Sequence, residues 1–533
     1  MIFGHEILVV CPHEGTISRG FERENHRVIV HPNMEPQSTV SRVSRLLSSW
    51  WYEANPPPAV GDYSNRFSPA VSVLTALFLV AALSSVVWLS SSIPKLERVE
   101  APEQALTLMV GRIMDVQEGL TRAPAWQQTL FSWISGDNKL ERIQAIEWFH
   151  ELAEVSDDPL VPLQLAVLHA ESGQVPQALL LANGWRQEGE PLSRFAALVV
   201  AAYGEGPLPR GETIEALQAE LAEFLPAGWF YDRLAERLAR RANNQPLLAS
   251  IRDAYAARVD RQFARARTIT AVEFATMIIG TVVLIVFWVT RARVPNIVRL
   301  HEPGVPPPWP GEIGAAVLLR GGAIGAMLTV LFLFYMPQEN ASLRALAIPL
   351  TNLPLLLLAY QYLFKPARMT FDQGFGLEIG WGRSGRLVVA VLAVVAAGLW
   401  GEWVMDRVAE PLHLTNHWTE WFDADLVWGP SSLTAISLVE YVAFAPVFEE
   451  LAFRGLLFAI LRRKFRFLPA ALMSASTFAI AHGYGLVGFI SVLWSGLLWA
   501  WIYEKTGSLL PGILAHAVNN LLVCLSVMAL LRW

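Results

Sequence analysis

The 533-residue chain is 53% hydrophobic and only 17% charged, against roughly 25% charged residues in soluble domains, which is the composition of a membrane protein. Its formal net charge of -6, with no long Lys/Arg run outside the loops between apolar segments, gives no support to nucleic-acid binding. The two cysteines, Cys11 and Cys524, lie at opposite ends of the chain, so neither a disulfide framework nor a Cys-based metal site is expected.

Taken in chain order, residues 1–67 read as a cytoplasmic, partly disordered segment. Its first 30 residues lack the basic-then-apolar order of a secretory signal, and Met34 is an alternative start. A spanning helix needs roughly 20 mainly apolar residues, and the first such stretch is 69–89, within a segment 68–90. Residues 91–268 are then expected to form a soluble α-helical domain, rich in Ala, Leu, Glu and Arg. Inside it, "DPLVPLQLAVLHAESGQVPQALLLANGW" (Asp158–Trp185) has the pattern of a helix–turn–helix, with Pro176 at a helix start. It resembles one loose tetratricopeptide-like repeat, although no repeating period of ~34 residues runs through the domain. Residues 269–533 form the multi-span core, with spans at 269–290, 313–335, 346–364, 387–404, 433–461, 468–482, 486–503 and 509–531. The fold class is all-α: a polytopic bundle of about eight helices plus one N-terminal transmembrane helix, carrying a helical insert.

Basic and base-poor loops alternate along the core. Arg291, Arg293 and Arg299, then Lys365, Arg368, Arg383 and Arg386, then "RRKFR" (Arg462–Arg466), fall on one side. The loops with Arg344, with Arg407 followed by "LHLTNHWTEWFDADLVW", and with "GYG" fall on the other. The positive-inside rule then places the N-terminus in the cytoplasm and the 91–268 domain and the C-terminus outside, in a multi-pass plasma-membrane protein.

The stretch "APVFEELAFRGLLF" (Ala445–Phe458) sets Glu449, Glu450 and Arg454 inside an apolar run. Each charge at bilayer depth costs about 2.5–3.5 kcal/mol, so the three form either a structural ion pair or a working site. On a helix, Glu450 and Arg454 are four apart, acid first, which is the favourable order. Glu449 lies about 100° away and need not share that arginine. A carboxylate left free beside a cation and a second carboxylate is what a general base requires. The basic loop lies about a dozen residues on, roughly 18 Å at 1.5 Å per residue, which points to a cavity in the cytoplasmic half. "FAIAH" adds His482, and "HAVNN" adds His516 with Asn520 four residues on, Asn519 being nearly as well placed.

Other polar residues read as structural. Glu440 falls on the face opposite Glu449, Glu273 is close to the start of its span, and Arg320 is placed to snorkel to a headgroup. "GYGLVG" follows a membrane helix rather than a strand and reads as a tight turn. No H-E-x-x-H or G-x-S-x-G motif is present.

"EELAFR", "FAIAH" and "HAVNN", in that order, resemble the signature E-E-x-x-x-R, F-x-x-x-H and H-x-x-x-N of the CAAX protease and bacteriocin-processing family of intramembrane proteases. The resemblance covers about residues 433–531. It implies an eight-helix membrane endopeptidase in which Glu449 and His482 activate a water, His516 and Asn520 stabilise the oxyanion, and Glu450 with Arg454 supports the site. It implies no cofactor, with zinc as the alternative, since two histidines and a glutamate can bind it. The expected partners are a peptide or membrane-protein substrate, the lipid bilayer and a protein bound by the helical insert. The rival reading is a non-enzymatic scaffold or self-immunity protein whose insert binds that partner.

Overall fold

The computed structural model describes residues 59–64, 67–135, 138–206, 213–290, 298–302, 304–335, 341–378, 380–412 and 414–533. The expectations for Cys11, Met34, Arg291 and Arg293 lie outside these residues. The described residues form helices and no strands. Seven of those helices are long and apolar enough to cross a membrane.

The first, α1 (Pro69–Ser92), starts on a proline, whose fixed φ suits a first helical turn, and buries none of its residues. It lies along the outside of the bundle. Arg320 reaches toward the start of α1. Its guanidinium donates to Ser72 Oγ at 2.9 Å and to the Ser68 carbonyl at 3.0 Å, so it tethers that end of the helix.

Eight described helices build the helical domain: α2 (Pro102–Arg122), α3 (Ala125–Ser135), α4 (Asn138–Val155), α5 (Leu160–Glu171), α6 (Val175–Trp185), α7 (Leu192–Tyr203), α8 (Ile214–Phe224) and α9 (Trp229–Arg241). The expected helix–turn–helix is α5–α6. Its turn uses Gly173 at φ 84, a left-handed conformation that glycine adopts without a Cβ clash, and Pro176 sits in the first turn of α6. Helix α10 (Gln245–Thr290) is 46 residues long, about 69 Å at 1.5 Å per residue. It is at once the last helix of the domain and a membrane span, so no linker marks the boundary expected near residue 268.

The core continues with α11 (Gly311–Tyr335), α12 (Ala341–Ala359) and α13 (Ser384–Ala409). Helix α13 crosses α10 closely at Gly280, where a Cβ would sit 2.3 Å from that of Ala396. Small residues at such crossings let transmembrane backbones approach. The segment with the glutamate pair is one helical rod, α14 (431–462), interrupted by π-turns at Glu440–Phe444 and Glu450–Phe458. Then come α15 (Phe467–His482), only 16 residues, α16 (Leu486–Thr506) and α17 (Leu510–Val527), the last extended by a π-turn to Arg532.

The helical domain sits on the end of the bundle formed by residues 414–428 and the C-terminal end of α17. A single hydrophobic cluster joins them, with Trp418, Leu426, Cys524 and Leu531 packed among domain residues such as Met109 and Phe149. At the same junction His417 Nε2 lies 3.0 Å from Glu151 Oε2, and Arg407 donates to the Trp133 carbonyl at 2.6 Å.

Candidate active site

Glu449 and Glu450 are neighbours on α14, but their surroundings differ. Glu450 is fully buried, and its Oε1 accepts from Arg454 Nη1 at 2.9 Å, four residues along the rod. The arginine, equally buried, lies 4.2 Å from the ring centre of Phe478 and 5.0 Å from that of Trp499. Cation–π contact of this kind gains when desolvated. Two glycines make room for the pair. A Cβ on Gly496 would come within 2.8 Å of Arg454 Nη2, and one on Gly512 within 3.3 Å of Glu450 Oε2. Glu449 keeps 30% of its side chain exposed and lines a cavity of about 590 Å³.

His516 joins the two carboxylates. Its Nδ1 is 3.4 Å from Glu450 Oε1 and its Nε2 3.8 Å from Glu449 Oε2. The ring stacks on Trp499 at 3.9 Å with a 17° tilt, and Phe478 meets it edge-on. A hydrogen on either ring nitrogen therefore faces a carboxylate oxygen. His482 is the last residue of α15, which Gly483 ends in a left-handed turn. Its Nδ1 lies 2.8 Å from the Phe478 carbonyl. A carbonyl only accepts, so Nδ1 carries the hydrogen and Nε2 presents a lone pair.

Asn520 is held by a feature of the backbone. In the first π-turn of α14, the Ala445 N–H bonds to the Glu440 carbonyl instead of the Tyr441 carbonyl that an α-helix would offer. The freed Tyr441 carbonyl accepts from Asn520 Nδ2 at 2.9 Å. One amide hydrogen of Asn520 is thus committed to joining α17 to α14. Asn519 also lines the cavity. The short motifs thus put Glu449, His482, His516 and Asn520 on one cavity, with Glu450 and Arg454 sealed behind it. Among the described residues no group of three His, Cys, Asp or Glu side chains converges as metal ligands.

Two features of the site differ from the sequence reading. Glu440 is not on the opposite face but lines the same cavity, with its Oε2 3.8 Å from Arg344 Nε. The π-turn absorbs one residue, about 100° of helical phase, and so swings Glu440 toward the side of Glu449. The cavity also opens the other way. Its walls run from Trp499 and His516 to Trp421, Asp423 and Tyr484, which is the end of the bundle that carries the helical domain. Toward the RRKFR loop the site is closed by the Glu450–Arg454 pair and a packed cluster of Phe364, Phe375, Leu451 and Phe458. Counting residues along α14 carries no information on which side lacks packing. Trp499, Gly496 and Gly512 were also missed, because an aromatic or a glycine in an apolar helix looks like any other packing residue.

A family model described as Type II CAAX prenyl endopeptidase Rce1-like matches residues 431–522. This is the family that the three motifs resemble, and the matched segment holds Glu449, Glu450, Arg454, His482, His516 and Asn520. The first span and the helical domain lie outside it. Neither a curated protein nor a solved structure matches the chain.

Proposed function

We propose that the chain is a membrane-embedded endopeptidase that cuts a peptide or membrane-protein segment with a water activated by Glu449. The observation that carries this reading is the unequal treatment of two adjacent carboxylates. Arg454 neutralises Glu450 in a dry pocket, while Glu449 faces the cavity. In this reading Glu449, helped by the Nε2 lone pair of His482, takes a proton from water as the oxygen adds to the scissile carbonyl. A ring N–H of His516 and the remaining amide N–H of Asn520 stabilise the oxyanion. The proton on Glu449 then passes to the departing amine, and the C–N bond breaks. Glu450, held by Arg454, fixes the His516 ring from behind. No metal takes part. In this reading the closed end of the site, beside the basic loops, faces the cytoplasm, and the cavity opens on the extracytoplasmic side of the plasma membrane, beneath the helical domain.

The test compares the proteomes of cells carrying wild-type protein and Glu449→Gln, followed by cleavage of any accumulated precursor by purified protein. Loss of a general base costs about 10²–10⁴ in rate, so Glu449→Gln should lower turnover at least a hundredfold with expression intact, and His482→Ala should behave alike. Turnover should persist in a chelator. Full cleavage by Glu449→Gln overturns the assignment, and loss of cleavage on chelation overturns its metal-free form.

A further inference from the structure

The cavity in front of Glu449 has a one-sided charge. Glu402, Glu420, Asp423 and Glu440 line it together with Glu449, and none of its described lining residues is Lys or Arg. Cations lie behind two of these carboxylates, and Lys95 and Arg98 line a neighbouring pocket that shares Glu420. Arg344 approaches Glu440 at 3.8 Å, but its close partner is Asp425 at 2.6 Å. Glu402 Oε1 accepts only weakly from Ser491 Oγ, at 3.5 Å. Glu420 Oε1 accepts from the Gly485 N–H at 3.2 Å, and Asp423 Oδ2 from the Tyr441 hydroxyl at 2.6 Å. These donors are neutral and bring no positive charge to the wall. One buried polar atom on the wall, Glu440 Oε2, lacks a hydrogen-bond partner among the described residues. Aromatic faces complete the lining, with Trp421, Tyr441, Tyr484 and Trp499.

Carboxylates of one sign around a low-dielectric cleft focus the field and draw in the opposite charge. Aromatic faces beside them add cation–π attraction, which strengthens as the cation loses water. We propose that this cavity selects a peptide segment carrying Lys or Arg beside the scissile bond, drawn in from the end of the bundle that carries the helical domain. The word "scissile" rests on the peptidase reading above; the binding preference does not.

The test uses full-length protein in nanodiscs of neutral phosphatidylcholine, with empty nanodiscs as the blank. Three fluorescent Ala/Leu peptides differ at one central position, holding Lys, norleucine or Glu. The Lys peptide should bind at least about tenfold more tightly than the norleucine peptide, and the Glu peptide more weakly than both. The preference should shrink as salt rises. Glu402→Gln and Glu420→Gln each keep an acceptor oxygen for Ser491 and Gly485, so both should fold. Each should cut the Lys-over-norleucine ratio at least about threefold. Equal binding of the three peptides, no binding at all, or an unchanged ratio in both variants overturns the proposal. A Lys preference without any precursor accumulating in Glu449→Gln cells defeats the peptidase reading and leaves this one standing. Precursor accumulation without a charge preference does the reverse.

Discussion

The helical domain and the membrane core both bury charge, and they do so in opposite ways. In the domain, Glu236 takes three arginines, Arg240 at 2.6 Å, Arg252 at 2.9 Å and Arg233 at 3.2 Å. Arg258 of α10 ties Asp115 at 2.7 Å to Asp232 at 2.5 Å, and with Arg122 and Arg233 on Glu118 five arginines face four carboxylates in this network. In the membrane core one arginine serves two adjacent carboxylates, and Glu450 Oε2, Arg454 Nε and Nη2, and His516 Nδ1 have no hydrogen-bond partner among the described residues. Surplus cations in the domain lock α2, α9 and α10 together. The shortage in the core leaves one carboxylate facing a cavity. The same chemistry therefore supports rigidity in one region and, in the function proposed above, reactivity in the other.

The sharpest way to break that contrast is to remove Arg454, the cation beside the glutamate pair. Arg454→Met leaves Glu450 buried without a partner and should cost about 3–5 kcal/mol, read as a drop in the unfolding midpoint in detergent. The double variant Glu450→Leu/Arg454→Met should recover most of this loss, because a buried pair replaced by apolar groups is often neutral. Its turnover should stay low, because His516 loses the carboxylate behind its Nδ1. Recovery of both stability and turnover would show that the pair serves packing alone.

The matching change in the domain should be smaller. Arg258→Met strips the shared cation from Asp115 and Asp232, which are 2% and 6% exposed. Arg258 itself stays partly in water, so the loss should be about 2–3 kcal/mol. Protein that remains folded should keep wild-type turnover, since Arg258 lies in the half of α10 that belongs to the domain. A fall in turnover out of proportion to the folded fraction would mean that the two regions are not separable in this way.

The contrast was only half legible in the sequence. Glu449, Glu450 and Arg454 stood out because charge in an apolar run is costly, and the spacing of four gave the Glu450–Arg454 pair. His482, His516 and Asn520 followed from motif order. The all-α class followed from the apolar stretches, and α5–α6 from Pro176 and the turn before it. Glu440 was misplaced because a π-turn is a departure from the very period used to assign faces. The tether at Arg320 and the junction at Trp418 join residues hundreds of positions apart, and hydropathy holds no record of such pairs. Helix α10 hid its boundary because its polar domain half and apolar membrane half share one unbroken helical rod.

The smallest expected effect lies where the two regions meet. His417, whose ring is 7% exposed, sets Nε2 against Glu151 Oε2 at 3.0 Å, and its neighbour Trp418 is fully buried in the joint core. The following residues Trp421, Phe422, Asp423 and Leu426 wall the cavity, so this contact holds the loop that shapes its mouth. The hydrogen bond from His417 pulls the Glu151 carboxyl below its usual range, against the opposing effect of burial. A carboxyl lowered in the folded state stabilises it above the unfolded value of about 4.3, and that contribution is lost as pH falls through the lower folded value. Glu151 keeps 45% of its side chain exposed, so water screens the pair and its worth is at most about 1 kcal/mol. Hydrogen exchange of the 414–428 amides, corrected for intrinsic rate, should therefore be slow at pH 6 and several-fold faster near pH 3 in the wild type. Glu151→Gln should show the faster exchange at both pH values. Equal protection in the two proteins at pH 6 would show that apolar packing around Trp418 holds the loop unaided, and that the domain grips the cavity mouth without any help from charge.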